Sequence, residues 1–492
     1  MERFKRLLRR GGRVVIAAVA VLLVIVIIRA ASVRPIPFEV TPGEELTVDV
    51  DAVADKLAGA LRLETVTRPD APPAREPLLA LHDHLERSFP RVHATLTREV
   101  VADYSLLYTW RGSDPAARPI AILAHLDVVP VDPNELAEWE QPPFSGAVAG
   151  GFVWGRGAVD NKNSVISILQ AVEQLLESGA QPRRTIYLAF GHDEEGDGGG
   201  ARAIVERLRS RDVRLEFTLD EGMLILERQM PIAAPVALVG VAEKGYLSVR
   251  LRVRSESGHS SIPARAGSIT TLADAIQQLR DHPLPADLRP PTGLLFDALA
   301  PEMSFGMRAV FANRWLFDPL ILRLLASRPA TDAMIRTTTA FTMIDGGVKD
   351  NVLPGVASVV INHRILPGET IEDVLAHVRR VVPDPAIELE PLPGGRDPTR
   401  VSAADGPGFL AVRRALARTY PEVVTVPGLV IGGTDSRFYE EIADDSYRFS
   451  PLRFEPEDNH RFHGLNERIP IEDLAGGVRF YAQFILAADR GD

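Results

Sequence analysis

The chain contains no cysteine. Disulfides, cysteine-ligated zinc fingers, iron–sulfur clusters and thiol nucleophiles are therefore excluded, and any metal has to be held by histidine and carboxylate. That donor set suits zinc, cobalt or manganese and disfavours copper(I). Lysine is scarce too: the basic residues are overwhelmingly arginine, and the net charge is −11. An acidic chain with no basic run beyond its N-terminus is not expected to take nucleic acid as a partner. No internal repeat is visible. What the chain has is length: 492 residues exceed one ordinary core, so two domains are expected.

Arg3, Lys5, Arg6, Arg9, Arg10 and Arg13 precede an unbroken apolar run, 14–28. At ~1.5 Å per residue the run spans ~22 Å, short of a ~30 Å hydrocarbon layer. Gly11, Gly12, Ala30, Ala31 and Ser32 extend it, and Arg13 and Arg29 can snorkel. Residues 1–31 read either as an uncleaved signal anchor or as a signal peptide. Arg29 lies beside the only small-residue site, which makes cleavage less attractive, so the anchor is preferred and a secreted form follows if the segment is cut. Both readings put the basic end in the cytoplasm and the body outside it, periplasmic or extracellular. Residues 32–45, with Pro35, Pro37 and Pro42, read as a tether.

Helical spacing is expected over 46–66 and 77–89, and strand and helix patterns alternate over about 96–241. Residues 246–254 then alternate apolar and polar with period two, a half-buried strand. A helix over 269–279, a long apolar helix-like stretch over 294–325, two more alternating strands (337–344 and 357–364), a helix (371–381) and a short strand (387–392) follow. The expected fold is α/β, an open mixed sheet flanked by helices, split by an inserted α+β domain. The boundaries are 46–244 and 396–492 for the sheet domain and 245–395 for the insert. Val430 is expected to begin a strand running into the Gly432-Gly433-Thr434-Asp435 turn.

The chemistry collects where apolar strands end. The run Pro119 to Ala124 closes on His125-Leu126-Asp127, the run Thr185 to Phe190 on Gly191-His192-Asp193-Glu194-Glu195, and Glu216 to Leu219 on Asp220-Glu221. Gly155-Arg156-Gly157 leads to Asp160 ahead of an amphipathic helix that Gly179 ends, and His463 arrives late. Ligands of open α/β sheets bind just past strand ends. His125, Asp160, Glu195, Asp220 and His463 are too many for one tetrahedral zinc but suit two ions sharing a bridging carboxylate. Asp220 and Glu221 could each ligate; Asp220 is chosen as nearer the strand. Asp127 beside His125 suits the holder of a metal-bound imidazole. Glu194 is left as a free carboxylate able to take a proton from attacking water and return it to a leaving amine, which points to hydrolysis of a C–N bond.

These stretches resemble the di-zinc metallopeptidase family of aminoacylase, succinyl-diaminopimelate desuccinylase and carboxypeptidase S. The matching segments are Ala124 to Pro130, Gly155 to Lys162, Asp193 to Gly196, Leu219 to Gly222, Ser257-Gly258-His259-Ser260-Ser261-Ile262-Pro263, Asn351 to Pro354, Arg364 to Gly368, Gly432 to Arg437 and His463 to Ile469. They run in order from about residue 50 onward. The stretch around Leu299 to Phe305 is similar to the carboxypeptidase S branch, which includes secreted N-acyl-amino-acid hydrolases. The resemblance implies a zinc-peptidase-like catalytic domain with a lid that also dimerises, and two Zn2+ per chain. Asp160 would bridge them, with His125 and Asp220 completing one site and Glu195 and His463 the other. Glu194 would be the general base. His259 would stabilise the oxyanion, reaching into a neighbouring subunit, and Asn351 and Arg364 would hold the substrate's carboxylate. The implied substrate is a short peptide or an N-acyl amino acid. The rival expectation is a membrane-anchored ectodomain of the same fold that has lost catalysis and binds a partner; it predicts missing ligands, and none is missing.

Overall fold

The continuously apolar runs pair side by side at the centre of the molecule, as strands covered on both faces must. A computed structural model of the chain describes residues 2–35, 38, 46–68 and 71–490. Most of the expected tether lies outside those residues.

Strand Ile120–His125, buried along its whole length, lies between Ile186–Gly191 and Leu215–Asp220 and runs parallel to both. Strand Ala443–Arg448 continues the sheet parallel to Leu215–Asp220 and touches Val236–Glu243 on its other edge. A chain segment more than 200 residues downstream is thus threaded into the middle of the sheet. Antiparallel strands Thr97–Val101 and Ser105–Trp110 close one edge. Helices Val50–Leu61, Lys162–Glu177, Pro407–Thr419 and Ile471–Arg490 share the larger core on one face. Gly199–Arg209 and Ser436–Tyr439 cover the other. Helix Lys162–Glu177 stops where the sequence indicated: Gly179 takes φ +78°, a conformation glycine adopts without steric cost.

The period-two strand appears as Gly245–Arg254, alternately buried and half-buried. It joins a four-stranded antiparallel sheet in the order Thr338–Gly346, Val356–Ile365, Gly245–Arg254, Ile387–Pro391. Helices Ser268–Asp281 and Ile371–Val381 pack on it in a separate apolar core.

Two expectations differ from the structure. Val430 ends a strand, Val424–Val430, rather than beginning one. The long apolar stretch of the insert is broken into helices Thr292–Leu299, Phe305–Phe311 and Arg314–Leu325, and it does not pack on the lid sheet. Leu295, Phe296, Leu299 and Met303 pack against Val236, Leu238 and Val426 of the catalytic sheet. By packing, this helical segment belongs to the catalytic body although it lies inside 245–395 in sequence.

Candidate metal centre

Strand ends and the loops beyond them deliver side chains to a common point. His125, the last residue of its strand, brings Nε2 to 2.9 Å from Asp160 Oδ1 and 3.1 Å from Glu221 Oε1. His463 Nε2 lies 3.0 Å from Asp160 Oδ2 and 3.2 Å from Glu195 Oε1. Two three-residue groups result, His125–Asp160–Glu221 and Asp160–Glu195–His463, sharing Asp160, with the donor atoms of each within 4.8 Å of one another. Nitrogen and carboxylate oxygen donors converging with one shared carboxylate fit a pair of divalent cations.

Glu221 stands where Asp220 was expected, and the reason is local. Asp220 is buried with both oxygens occupied: Oδ1 accepts the Glu221 N–H at 2.9 Å and Oδ2 the Ser436 N–H at 2.7 Å. It ties the strand end to the helix Ser436–Tyr439. Glu221, one residue beyond the ladder, is free to turn toward His125 and also accepts from Asn161 Nδ2.

Asp127 does more than face His125. His125 Nδ1 lies 3.3 Å from Asp127 Oδ1 and 3.0 Å from the Asp127 carbonyl oxygen. The same carboxylate accepts the backbone N–H of Glu194 at 3.1 Å and of Glu195 at 3.2 Å, and the Thr67 hydroxyl at 2.6 Å. One buried anion therefore orients the imidazole and both glutamates.

Electrostatics reflect the crowding of carboxylates. Burial pushes Glu221 up to about 8, with Asp160 adding to the shift against the opposing pull of His125. Burial likewise raises Glu195, and holds Glu194 well above the usual carboxylate range. Asp160 is the exception: burial alone would raise it, but hydrogen bonds from His125 and His463 outweigh that and hold it low. A bound cation would relieve the cost of gathering these carboxylates.

A second carboxylate, Glu467, fixes the loop that carries Asp160. Its Oε1 accepts the N–H groups of Gly157 (3.0 Å), Val159 (2.7 Å) and Asp160 (3.1 Å), and its Oε2 accepts from Arg156 Nη1 at 2.7 Å. Arg156 Nη2 reaches the His463 carbonyl at 3.1 Å. Gly157 takes φ +91°, and a Cβ there would lie 2.7 Å from Val128 Cγ1.

The centre opens into a cleft of about 520 Å³. Asp160, Glu194, Glu195 and Glu221 form its acidic side with His463 beside them, and Arg364, Arg396, Arg437 and Tyr246 also line it. The guanidinium carbons of Arg364 and Arg396 lie 5.0 Å and 5.6 Å from the centre of the Tyr246 ring. Burial lowers the Arg396 pKa, with Arg437 and Arg364 adding positive charge nearby. Met223, Leu224, Ile431 and Phe462 supply an apolar wall.

Arg364 is thus at the cleft as expected, but His259 and Asn351 do not line it. They sit together elsewhere: strand pair Gly258–His259 and Val352–Leu353 is antiparallel, the Asn351 carbonyl accepts from Ser260 N–H at 3.2 Å, and exposed His259 meets Ser261 Oγ at 2.8 Å. Glu221 was visible in sequence as the neighbour of a chosen residue. Arg396, at the seam where the lid returns to the sheet, carried no signal of its own.

A model of "Peptidase family M20/M25/M40" matches residues 121–487. The chain belongs to that family. It is 40% identical over 445 residues to human N-fatty-acyl-amino acid synthase/hydrolase PM20D1, covering 89% of this chain and 88% of that protein. It is 38% identical over 445 residues to the probable carboxypeptidase S-like 2 of Dictyostelium discoideum, covering 89% and 85%. Among solved structures, an M20 family metallo-carboxypeptidase from Sulfolobus solfataricus superposes with a TM-score of 0.67 at 17% identity, covering 89% of this chain and 99% of that one. This M20 chain is a metallopeptidase-type hydrolase acting on C–N bonds, and the silent-ectodomain alternative is not favoured.

Proposed function

We propose that the chain is a membrane-anchored, extracytoplasmic exo-amidohydrolase that cleaves the amide bond of N-acyl amino acids, with short peptides trimmed from the carboxyl end as the second substrate class. The observation that carries this is one cleft with three kinds of wall: the paired donor groups around Asp160, the arginines beside Tyr246 and the apolar residues about Met223. Such a cleft fits a scissile amide between an apolar acyl group and a free carboxylate. The names of the human and Dictyostelium relatives span these two substrate classes.

In this reading His125, Asp160 and Glu221 would hold one cation and Asp160, Glu195 and His463 the other; zinc would be the preferred metal, with cobalt or manganese able to take its place. When bound, the pair supplies Lewis acidity toward the carbonyl and the attacking water. Glu194, which lines the cleft without belonging to either donor group, accepts the proton from that water and delivers it to the departing nitrogen. Asp127 keeps His125 and the Glu194–Glu195 backbone in place. Arg364 and Arg396 hold the substrate carboxylate.

His259 and Asn351 act in the cleft of a second subunit. Support comes from the lid edge strand Thr338–Gly346, where Met343 and Ile344, with Val348 just beyond, stand exposed on a strand that no further strand among the described residues covers. A homodimer through this edge is the natural way to cover it. The helix Glu2–Ser32, with its basic start and apolar span at Gly11–Ser32, supports the anchor.

Glu194→Gln tests the mechanism. Metal content is expected to stay at the wild-type level while turnover of N-acyl amino acids falls by about 10²–10⁴. Undiminished turnover would remove Glu194 from the role of base, and loss of metal would reassign it as a ligand.

A further inference from the structure

We propose that the outer face of helices Phe305–Phe311 and Arg314–Leu325 is a lipid-docking surface, seated in the membrane beside the N-terminal helix. The proposal rests on the anchor reading above and adds a second contact that fixes how the catalytic body sits on the bilayer.

The argument begins with the end of the N-terminal helix, which is not free. Val26 and Ala30 are buried. Asn313 Nδ2 donates to the Val26 carbonyl at 3.1 Å, Arg29 Nε donates to the Ala312 carbonyl at 3.1 Å, and Arg308 Nη1 reaches the Val33 carbonyl at 3.5 Å. Val26 belongs to the apolar run. The 22 residues of the span Gly11–Ser32 cover ~33 Å as a helix, about the thickness of the hydrocarbon layer. With the span in place, Val26 lies ~9 Å inside its outer end, so Asn313 cannot stand clear of the bilayer.

What surrounds Asn313 fits that depth. Trp315 is 57% exposed and Leu324 62%, and Phe305, Met307 and Leu320 are also open to the outside. On helix Arg314–Leu325, Trp315, Leu320 and Leu324 occupy a single broad arc, the opposite side of the helix being anchored through buried Ile321. Arg323 falls within that arc. An apolar helix face with tryptophan and an arginine able to snorkel is the composition of an interfacial segment. In water the same face would be a costly apolar patch.

The absence of cysteine makes the test direct. Single-cysteine variants Val19→Cys, Leu324→Cys and Arg265→Cys of the full chain are nitroxide-labelled and placed in phosphatidylcholine–phosphatidylglycerol vesicles. Relaxation by oxygen, which enters lipid, is compared with relaxation by a water-soluble nickel chelate. The expected result is a lipid signature at residues 19 and 324 and an aqueous one at 265. A lipid signature at 19 with an aqueous one at 324 overturns the docking surface and leaves the anchor standing. Aqueous signatures at both overturn anchor and surface together. Shielding of residue 324 from both agents assigns the face to a second copy of the chain and also overturns the proposal. A measurement that leaves the helix intact runs alongside. Of the four tryptophans, Trp110, Trp139 and Trp154 are buried and Trp315 is exposed. Brominated lipid is expected to quench a component of the fluorescence that disappears in Trp315→Phe; equal quenching in both proteins counts against the surface.

Discussion

Glu467 holds Asp160 in place through the backbone: one buried carboxylate oxygen accepts three N–H groups of a single loop, those of Gly157, Val159 and Asp160, the last at 3.1 Å. With its other oxygen paired to Arg156, the residue acts as a clamp between the shared carboxylate of the centre and the loop carrying His463. Glu467→Gln keeps the volume but leaves Arg156 buried without its counter-charge, a change that costs about 3–5 kcal/mol when a buried pair is broken. A lower thermal midpoint by calorimetry together with reduced metal content is expected. A variant with wild-type metal content and midpoint would show the clamp to be dispensable.

Glu221 and Asp220 make different predictions. Glu221→Gln removes a donor from the group around His125 and should lower metal content by about one ion per chain. Asp220→Asn should retain both ions while weakening the tie to Ser436, seen as a loss of stability. Elemental analysis of the two purified variants decides it, and a reversed outcome would restore Asp220 as the ligand.

Arg396 should matter only for substrates that carry an anion. Arg396→Ala is expected to lower kcat/KM for N-acyl amino acids by about 10–100-fold, the scale of a lost charged hydrogen bond of ~1.5–3 kcal/mol. The corresponding carboxamides should be hardly affected. Equal losses on both would mean that the arginine supports the cleft wall instead of reading the carboxylate.

His363 gives the lid a pH dependence away from the metal centre. It is fully buried between the lid strands, Nδ1 lying 3.2 Å from the Thr339 hydroxyl, and burial lowers its pKa to about 4 with His377 adding to the shift. In the unfolded chain it titrates near 6.5. As pH falls below that value the unfolded state takes up a proton that the folded state refuses, so stability declines until the folded value is reached. The loss amounts to up to about 3 kcal/mol by pH 4. His363→Gln should flatten this part of the midpoint-against-pH curve, and an unchanged slope would place the titration elsewhere.

How much of this was legible in the sequence depended on whether a single local pattern carried it. Residues 120–124 are apolar throughout because both faces of the strand are covered, and the histidine that breaks the run marks the lip of the sheet. Gly245–Arg254 alternates because only one face is covered, and the lid declared itself in the same way. The choice between Asp220 and Glu221 was not legible, since it depends on where a strand lets go of its ladder and on Ser436, 216 residues away. The destination of the helices in the insert was hidden for a related reason. Periodicity says that Leu295 and Leu299 are covered, but not that Val236 and Val426 cover them. Arg396 stands alone in a loop, and only the folded chain sets it against Tyr246.

The threading of Ala443–Arg448 into the middle of the sheet has a consequence for biosynthesis. A chain made from its N-terminus displays His125, Asp160, Glu195 and Glu221 long before the strand that closes the sheet exists. His463 and Glu467 emerge later still, so the nascent polypeptide can neither complete its second donor group nor clamp the first. On the proposed assignment of the donor groups, a chain that ends before residue 443 is expected to lack hydrolytic activity, because its sheet is incomplete and His463 is missing.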